Sequence, residues 1–362
     1  MKNSIGNSLV LTLFGESHGE YIGAVLDGLA PGIEINEEYI KESLARRRPS
    51  GDLSTSRVEE DEYKIVSGVY NGATTGAPLC FLIANKAQRS EDYEQMKNTP
   101  RPSHADYGAE VKYRGFADKR GGGHFSGRLT AAIVFAGAIV SYALEKKGIY
   151  IGSHVKAVRS VRDRDFGDVA ADISLLEGRS FPTLCTDAEE EMKRVISQAR
   201  ERLDSVGGII ETAIIGTPAG VGEPWFDTVE GALAKALYSI PAIKGVEFGA
   251  GFGFSELYGS EANDPYIIKD GQVLCSSNNN GGVCGGITNG MPIIFRCAVK
   301  PTPSIGAPQA TVDLSTMKET TVTVGGRHDP AIISRICPVA DAVSALVIAD
   351  LLICRFGTDY LA

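Results

Sequence analysis

Residues 129–142 read LTAAIVFAGAIVSY, and their apolar side chains spread around the whole circumference of a helix. A helix hydrophobic on every face has no side to offer to water, so this one is central rather than superficial, and its Ala and Gly positions let neighbours approach closely. Pro338 suits the first turn of a second, nearly all-apolar helix running to about Cys354. Outward from these, β-branched and apolar residues cluster between Gly and Asn punctuation, predicting strands near Ser8–Phe14, Gly23–Asp27, Lys64–Val69, Leu79–Ile83, Ile209–Ile215 and Met291–Val299. Asn36 is placed to cap a helix to about Arg48. Thr186-Asp-Ala-Glu189 has the form of a capping box ahead of a charged amphipathic helix that stops at Gly207-Gly208. Strands and helices do not alternate regularly, which favours an α+β fold with antiparallel sheets over a doubly wound parallel one. No composition break or short repeat divides the chain, so one domain over residues 1–362 is expected.

With 362 residues, 43% of them hydrophobic, the chain can bury a large core. Its net charge of −9 argues against binding nucleic acid or a membrane surface, either of which calls for a broad positive field. The seven cysteines are scattered, odd in number and never spaced C-x-x-C, so they read as reduced, mostly buried small hydrophobes rather than a disulfide framework or a zinc site. No apolar run comes near the roughly 20 residues of a membrane span. The opening MKNSIGNSLVLTLFGESHG lacks the order of a signal peptide, and a cytoplasmic location is expected.

Of five histidines, four stand among Gly, Ser, Pro, Arg and Asp: His18 in GESHG, His104 in RPSHAD, His124 in GGGHFSGR and His328 in GGRHDP. Only His154 lies elsewhere. One such histidine is more often structural than catalytic; four in this company point to a site. Arginine shows the same bias, with four Arg against one Asp from Arg46 to Arg57, and six Lys or Arg against three acids from Arg101 to Arg128. Arg46-Arg47-Arg48 alone reads as a solvated helix C-terminus favoured by the helix dipole. Together with the other clusters it reads as a seat for a small polyanion, because the guanidinium fork matches carboxylate and phosphate and Gly-rich turns expose backbone N–H groups. No G-x-G-x-x-G or Walker A string is present, the Ser17-His18 pair of Gly15-Glu-Ser-His-Gly19 is read as lacking the setting of a hydrolase elbow, and the histidines lack the Cys and Glu neighbours of a metal site. The residues thus describe a cationic, histidine-bearing, Gly-lined pocket without naming its reaction.

Seven segments resemble the chorismate synthase family in order, spacing and content. They are Gly15-Glu-Ser-His-Gly19, Arg46-Arg-Arg-Pro49, Arg101-Pro-Ser-His-Ala-Asp106, Gly121–Arg128, Ser277–Gly290, Lys300-Pro-Thr-Pro-Ser304 and Arg327-His-Asp-Pro330. The resemblance implies a four-layer β/α/α/β sandwich with helices between two mainly antiparallel sheets, assembled as a homotetramer. It implies a lyase that removes phosphate from 5-enolpyruvylshikimate-3-phosphate (EPSP) in an anti 1,4-elimination, phosphate leaving C3 and hydrogen leaving C6. That reaction requires reduced FMN although substrate and product share one redox level. EPSP carries two carboxylates and a phosphate, and burying them calls for several arginines.

By this resemblance His18 is the acid for the departing phosphate, with Ser17 beside it. His104 serves the N1 side of the reduced flavin, and Asp329, near N5, helps take up the C6 proton. Substrate anions fall to Arg47, Arg48, Arg57, Arg101, Arg128 and Arg327. Flavin contacts fall to His124, Phe125, Ser126, Ala242, Gly285, Lys300, Thr302, Ser304 and Arg327. The chain departs from the family in places. His124-Phe-Ser-Gly-Arg128 replaces a common Arg-Ser-Ser-Ala-Arg, and Ser103 stands where Gly is common. The loop SGDLSTSR after Pro49 is one residue short, and an Asn common near Pro241 is missing. Two other functions fit parts of the pattern: an NADPH-dependent flavin reductase, which the flavin segments alone would permit, and a non-catalytic anion-binding module, for which the arginines would suffice.

Overall fold

The two apolar helices form the middle of the molecule, at Thr130–Lys146 and Ile333–Phe356, in a computed structural model that describes residues 2–49, 61–86, 98–325 and 328–362. They pack directly on each other. At Gly137 the approach is so close that an added Cβ would collide with the Ala342 side chain and stand 2.6 Å from its Cα. Gly137 is thus required by packing.

Each helix backs onto one five-stranded antiparallel sheet. The first sheet runs in the order Ser4–Ile5, Val10–Gly15, Tyr21–Asp27, Leu79–Ala84, Tyr63–Ser67. Along Leu79–Ala84 the residues Leu79, Phe81 and Ile83 are buried in strict alternation, and Phe81 meets Phe135 of the central helix with ring centroids 4.0 Å apart. The second sheet runs Ile243–Phe248, Ile293–Val299, Gly208–Ile215, Tyr150–Val158, Val161–Arg162. The Glu37–Arg47 helix joins Thr130–Lys146, and the Val229–Leu237 helix joins Ile333–Phe356. The result is a β/α/α/β sandwich of four layers. Two further helices, Val169–Leu176 and Thr186–Glu201, lie against the second sheet.

All six expected strands form, with ends shifted by a few residues. Tyr150–Val158 and Ile243–Phe248 were not foreseen. In the former, Gly152 to Val158 are all buried, because one face meets the central helices and Gly152 on the other meets Ile173 of an outer helix. Burial on both faces removes the alternation by which a half-buried strand is recognised. The capping box does not form. Thr186 is already helical, the cap is Cys185, and Glu189 turns away to Arg179, Thr183 and Lys193. That helix stops at Glu201, and Gly208 opens the next strand. Pro338 sits inside its helix, which begins at Ile333 because the residues ahead of the proline include the buried Ile333, Ile336 and Cys337. The expectation about membrane spans also needs correction: by length and composition both central helices qualify, but their most apolar windows are 78% and 100% buried within the fold.

Several elements end together at one side of the sandwich: Val10–Gly15 at Gly15, Glu37–Arg47 at Arg47, Leu79–Ala84 ahead of Asn85, and Ile293–Val299 ahead of Lys300. The two central helices start there, after Arg128 and Asp329. These ends carry the chemistry-bearing segments.

Candidate active site

Ser17 and His18 occupy a turn just past the end of a strand and are only 7% and 4% exposed. The turn is tied to the Gly-rich loop. Ser17 donates through its backbone N–H to the Gly123 carbonyl (3.1 Å) and through its hydroxyl to the Gly121 carbonyl (3.0 Å). His124 donates from Nδ1 to the Gly15 carbonyl (2.8 Å). Gly121, Gly122 and Gly123 all have positive φ (60°, 84° and 53°), which a residue with a Cβ rarely adopts. A Cβ on Gly121 would also run into the His18 ring and the Ser17 hydroxyl, and one on Gly122 would stand 3.6 Å from His104 Cε1. The loop is therefore a thin divider between two histidines.

His104 donates from Nδ1 to Asp106 Oδ1 (2.6 Å), so any proton it exchanges with a ligand passes through Nε2. Arg101 grips the same carboxylate with Nε and Nη2, each at 2.8 Å, and donates from Nη1 to the Ser304 hydroxyl (3.2 Å). Burial pushes the Asp106 carboxyl up, but the hydrogen bonds from Arg101 and His104 outweigh it and hold the group well below the usual carboxylate range.

The basic clusters divide between site and scaffold. Arg46 turns into the helical layer and pairs with Asp341 (3.0 Å), while Arg47, Arg48 and Arg128 all reach Asp61. Arg128 is further fixed by Asn85 Oδ1 (3.0 Å) and the Ala84 carbonyl (3.1 Å), and Asn85 donates in turn to the carbonyls of Glu16 and Gly19. Burial pulls the buried Arg47 below the usual arginine value while Asp61 opposes it; a guanidinium stays charged regardless. Arg335 donates to Asp329 Oδ2 (2.7 Å) and to the Arg47 carbonyl (3.0 Å), and Thr302 donates to the Asp329 carbonyl (3.0 Å).

One cleft of about 1730 Å³ gathers Ser17, His18, Arg47, Arg48, Arg101, His104, His124, Phe125, Ser126, Arg128, Ala242, Lys300, Thr302, Ser304 and Asp329. Gly285 does not line it; it belongs to the tight Val283–Thr288 hairpin, whose Gly286 backs onto Thr228. Arg57 and Arg327 lie outside the described residues. His328 reaches the cleft and donates to the Val324 carbonyl (2.9 Å), whereas His154 is wholly buried on the second sheet. The lining suits a flavin. Ile133, Ile332, Ile336 and Val339 form an apolar wall, and Lys300, Thr302 and Ser304 give a polar, cationic rim. Pockets for one drug-sized molecule run to about 300–1,000 Å³, so the space admits a flavin and a substrate together. Arg47 Nε is buried without a hydrogen-bond partner among the described residues, which fits a group awaiting an anion.

Asp61, Asp106, Asn85 and Arg335 were not singled out from the sequence. Asp106 stood inside a quoted segment, two residues from His104. Asp61, Asn85 and Arg335 owe their roles to contacts distant in sequence and carry no local signal.

Fold and site define an α+β protein whose large cleft sets two histidines beside a bank of arginines. The comparisons with known proteins say which. The family model of chorismate synthase matches residues 9–353. The chain is 49% identical to the chorismate synthase of Pyrococcus abyssi and 47% identical to that of Thermococcus kodakarensis, over 97% of each chain in both cases. A crystal structure of chorismate synthase superposes with a TM-score of 0.74 at 29% identity, covering 97% of this chain and 94% of that one. The chain belongs to the chorismate synthase family, lyases of the shikimate pathway.

Proposed function

We propose that the cleft converts EPSP to chorismate and phosphate by anti 1,4-elimination in the presence of reduced FMN. The observation that carries this reading is the pair of histidines on either side of a side-chain-free loop, opening on one cleft with the arginine bank. Arg47, Arg48, Arg101 and Arg128 receive the carboxylates and phosphate of the substrate. The C3–O bond breaks with its electron pair going to phosphate, and His18 supplies a proton to that oxygen. The C6 hydrogen leaves as a proton toward Asp329, and the pair left behind completes the new double bond. His104 holds or gives a proton at Nε2, its ring fixed by Asp106. FMN would be held by Ser126, Ala242, Lys300, Thr302 and Ser304, together with His124 and Phe125. Reduced flavin, when bound, lends electron density to carbon–oxygen cleavage and recovers it as the hydrogen departs. The whole chain acts as one domain, in the cytoplasm, as a homotetramer.

Two variants test the roles. General acid catalysis contributes about 10²–10⁴-fold, so His18→Ala is expected to slow the single-turnover chemical step by that order while FMN binding and fold persist. Arg47→Ala removes a contact made in ground and transition states alike, and is expected to raise KM more than it lowers kcat. A His18→Ala enzyme with a normal chemical rate and weak EPSP binding would place His18 among the substrate anchors instead.

A further inference from the structure

Three arginines of the cleft, Arg47, Arg48 and Arg128, share the Asp61 carboxylate. Its Oδ1 accepts from Arg47 Nη2 (3.2 Å) and from Arg128 Nη1, and its Oδ2 accepts from Arg47 Nη2 (3.1 Å) and Arg48 Nε (3.3 Å). Its side chain is 0% exposed, and it is not among the residues that line the cleft. It therefore cannot meet a ligand without rearrangement.

Charge explains what it does. Arg128 and Arg335 both act on Arg47 as repelling cations, and Asp61 is the attraction that opposes them. With the cleft empty, three guanidiniums would spread apart or turn to solvent unless a fixed anion held them. Burial pushes the Asp61 carboxyl up, but Arg47 and Arg128 overcome this and keep it below the usual carboxylate range, hence ionised. Geometry matters as much. Asp61 engages Nη2 of Arg47 and leaves Nε without a partner among the described residues, so it also decides which donors remain for a ligand.

We propose that Asp61 is the positioning residue of the arginine bank, holding Arg47, Arg48 and Arg128 in the arrangement that receives the anionic groups of EPSP without touching them. This rests on the reading of those arginines as the substrate site. Asp61→Asn puts an amide N–H₂ where an oxygen received guanidinium donors, and arginine has no acceptor to offer it.

The test measures EPSP affinity by equilibrium titration, together with FMN affinity and KM against kcat, for Asp61→Asn, Arg47→Ala and the double variant. Asp61→Asn is expected to weaken EPSP binding by about 10–100-fold, the worth of one or two charge-assisted hydrogen bonds, with FMN affinity unchanged and KM raised more than kcat is lowered. The double variant is expected to bind EPSP more weakly than either single variant but by less than the sum of their losses, because Asp61 acts partly through Arg47 and partly through Arg48 and Arg128. If Asp61→Asn does not fold, the double variant is expected to fold better, since one of the two buried cations deprived of their carboxylate has been removed. Additive losses, or equal losses of FMN and EPSP affinity, would make Asp61 a general structural residue and overturn the proposal, as would a double variant that folds no better than Asp61→Asn. Normal EPSP binding in Arg47→Ala would instead sink the reading of the arginines, whatever Asp61→Asn did.

Discussion

Ser103 shows how single residues at the cleft are held in costly shapes. Its φ is +58°, in the left-handed region that disfavours side chains, and its carbonyl receives Lys300 Nζ at 2.6 Å. Relief of left-handed strain is worth about 1–2 kcal/mol, against about 0.4–1 kcal/mol of extra chain entropy that Gly brings to the unfolded state. Ser103→Gly is therefore expected to stabilise the protein by about 0.5–1 kcal/mol in urea unfolding; destabilisation would mean that the hydroxyl has a role of its own. At this scale the site was largely legible. His18 and His104 stood out because glycine and arginine surrounded them, and glycines with positive φ leave a trace in composition. Asp61 left none, since a carboxylate's meaning lies in which cations fold onto it. Gly285, named by the family resemblance, lies on a hairpin that does not line the cleft of the single chain.

Among the elements, the crossing of the two central helices offers a contest of magnitudes. Gly137→Ala gains about 1 kcal/mol of helix propensity, but the new methyl meets Ala342, and overpacking a core costs about 1–3 kcal/mol. The variant is expected to be less stable by up to about 2 kcal/mol in urea unfolding; a gain would show that the helices can separate freely. The second sheet carries a charged ladder. His154 donates from Nδ1 to Asp163 (2.9 Å) and from Nε2 to Glu211 (3.0 Å), and Arg296, opposite Glu211, pairs with Glu247 (2.8 Å). Burial pushes His154 down, but Asp163 and Glu211 raise it above the ordinary histidine value. A raised histidine lends stability that is fully present below its unfolded pKa, about 6.5, and lost as pH rises through the higher folded value. The stability difference between the native chain and His154→Gln should accordingly be largest below about pH 6.5 and shrink as pH rises above it; a difference that grew with pH would contradict the assignment. His154 and Lys156 are also why Tyr150–Val158 went unseen as a strand: polar residues on a strand buried on both faces look like a loop until their partners are known.

For the molecule as a whole, two ligands are read into one cleft whose walls come from both central helices and from loops at the ends of both sheets. Each ligand can then order what the other touches, and FMN is expected to bind much more tightly with EPSP present; equal flavin affinity with and without substrate would contradict a shared site. Antiparallel sheets and central helices followed from periodicity and from the absence of strand–helix alternation, whereas the four-layer arrangement came only through the resemblance, because no local pattern states which sheet a helix will back onto. The central claim is an elimination that uses a reduced flavin without consuming it. It is tested by giving the purified protein EPSP in excess over reduced FMN without oxygen, and following phosphate release together with the flavin spectrum. Many phosphates released per flavin, with the flavin still reduced at the end and no release when it is oxidised, is the predicted result; one flavin oxidised for each phosphate released, or release that ignores the flavin's state, would contradict it.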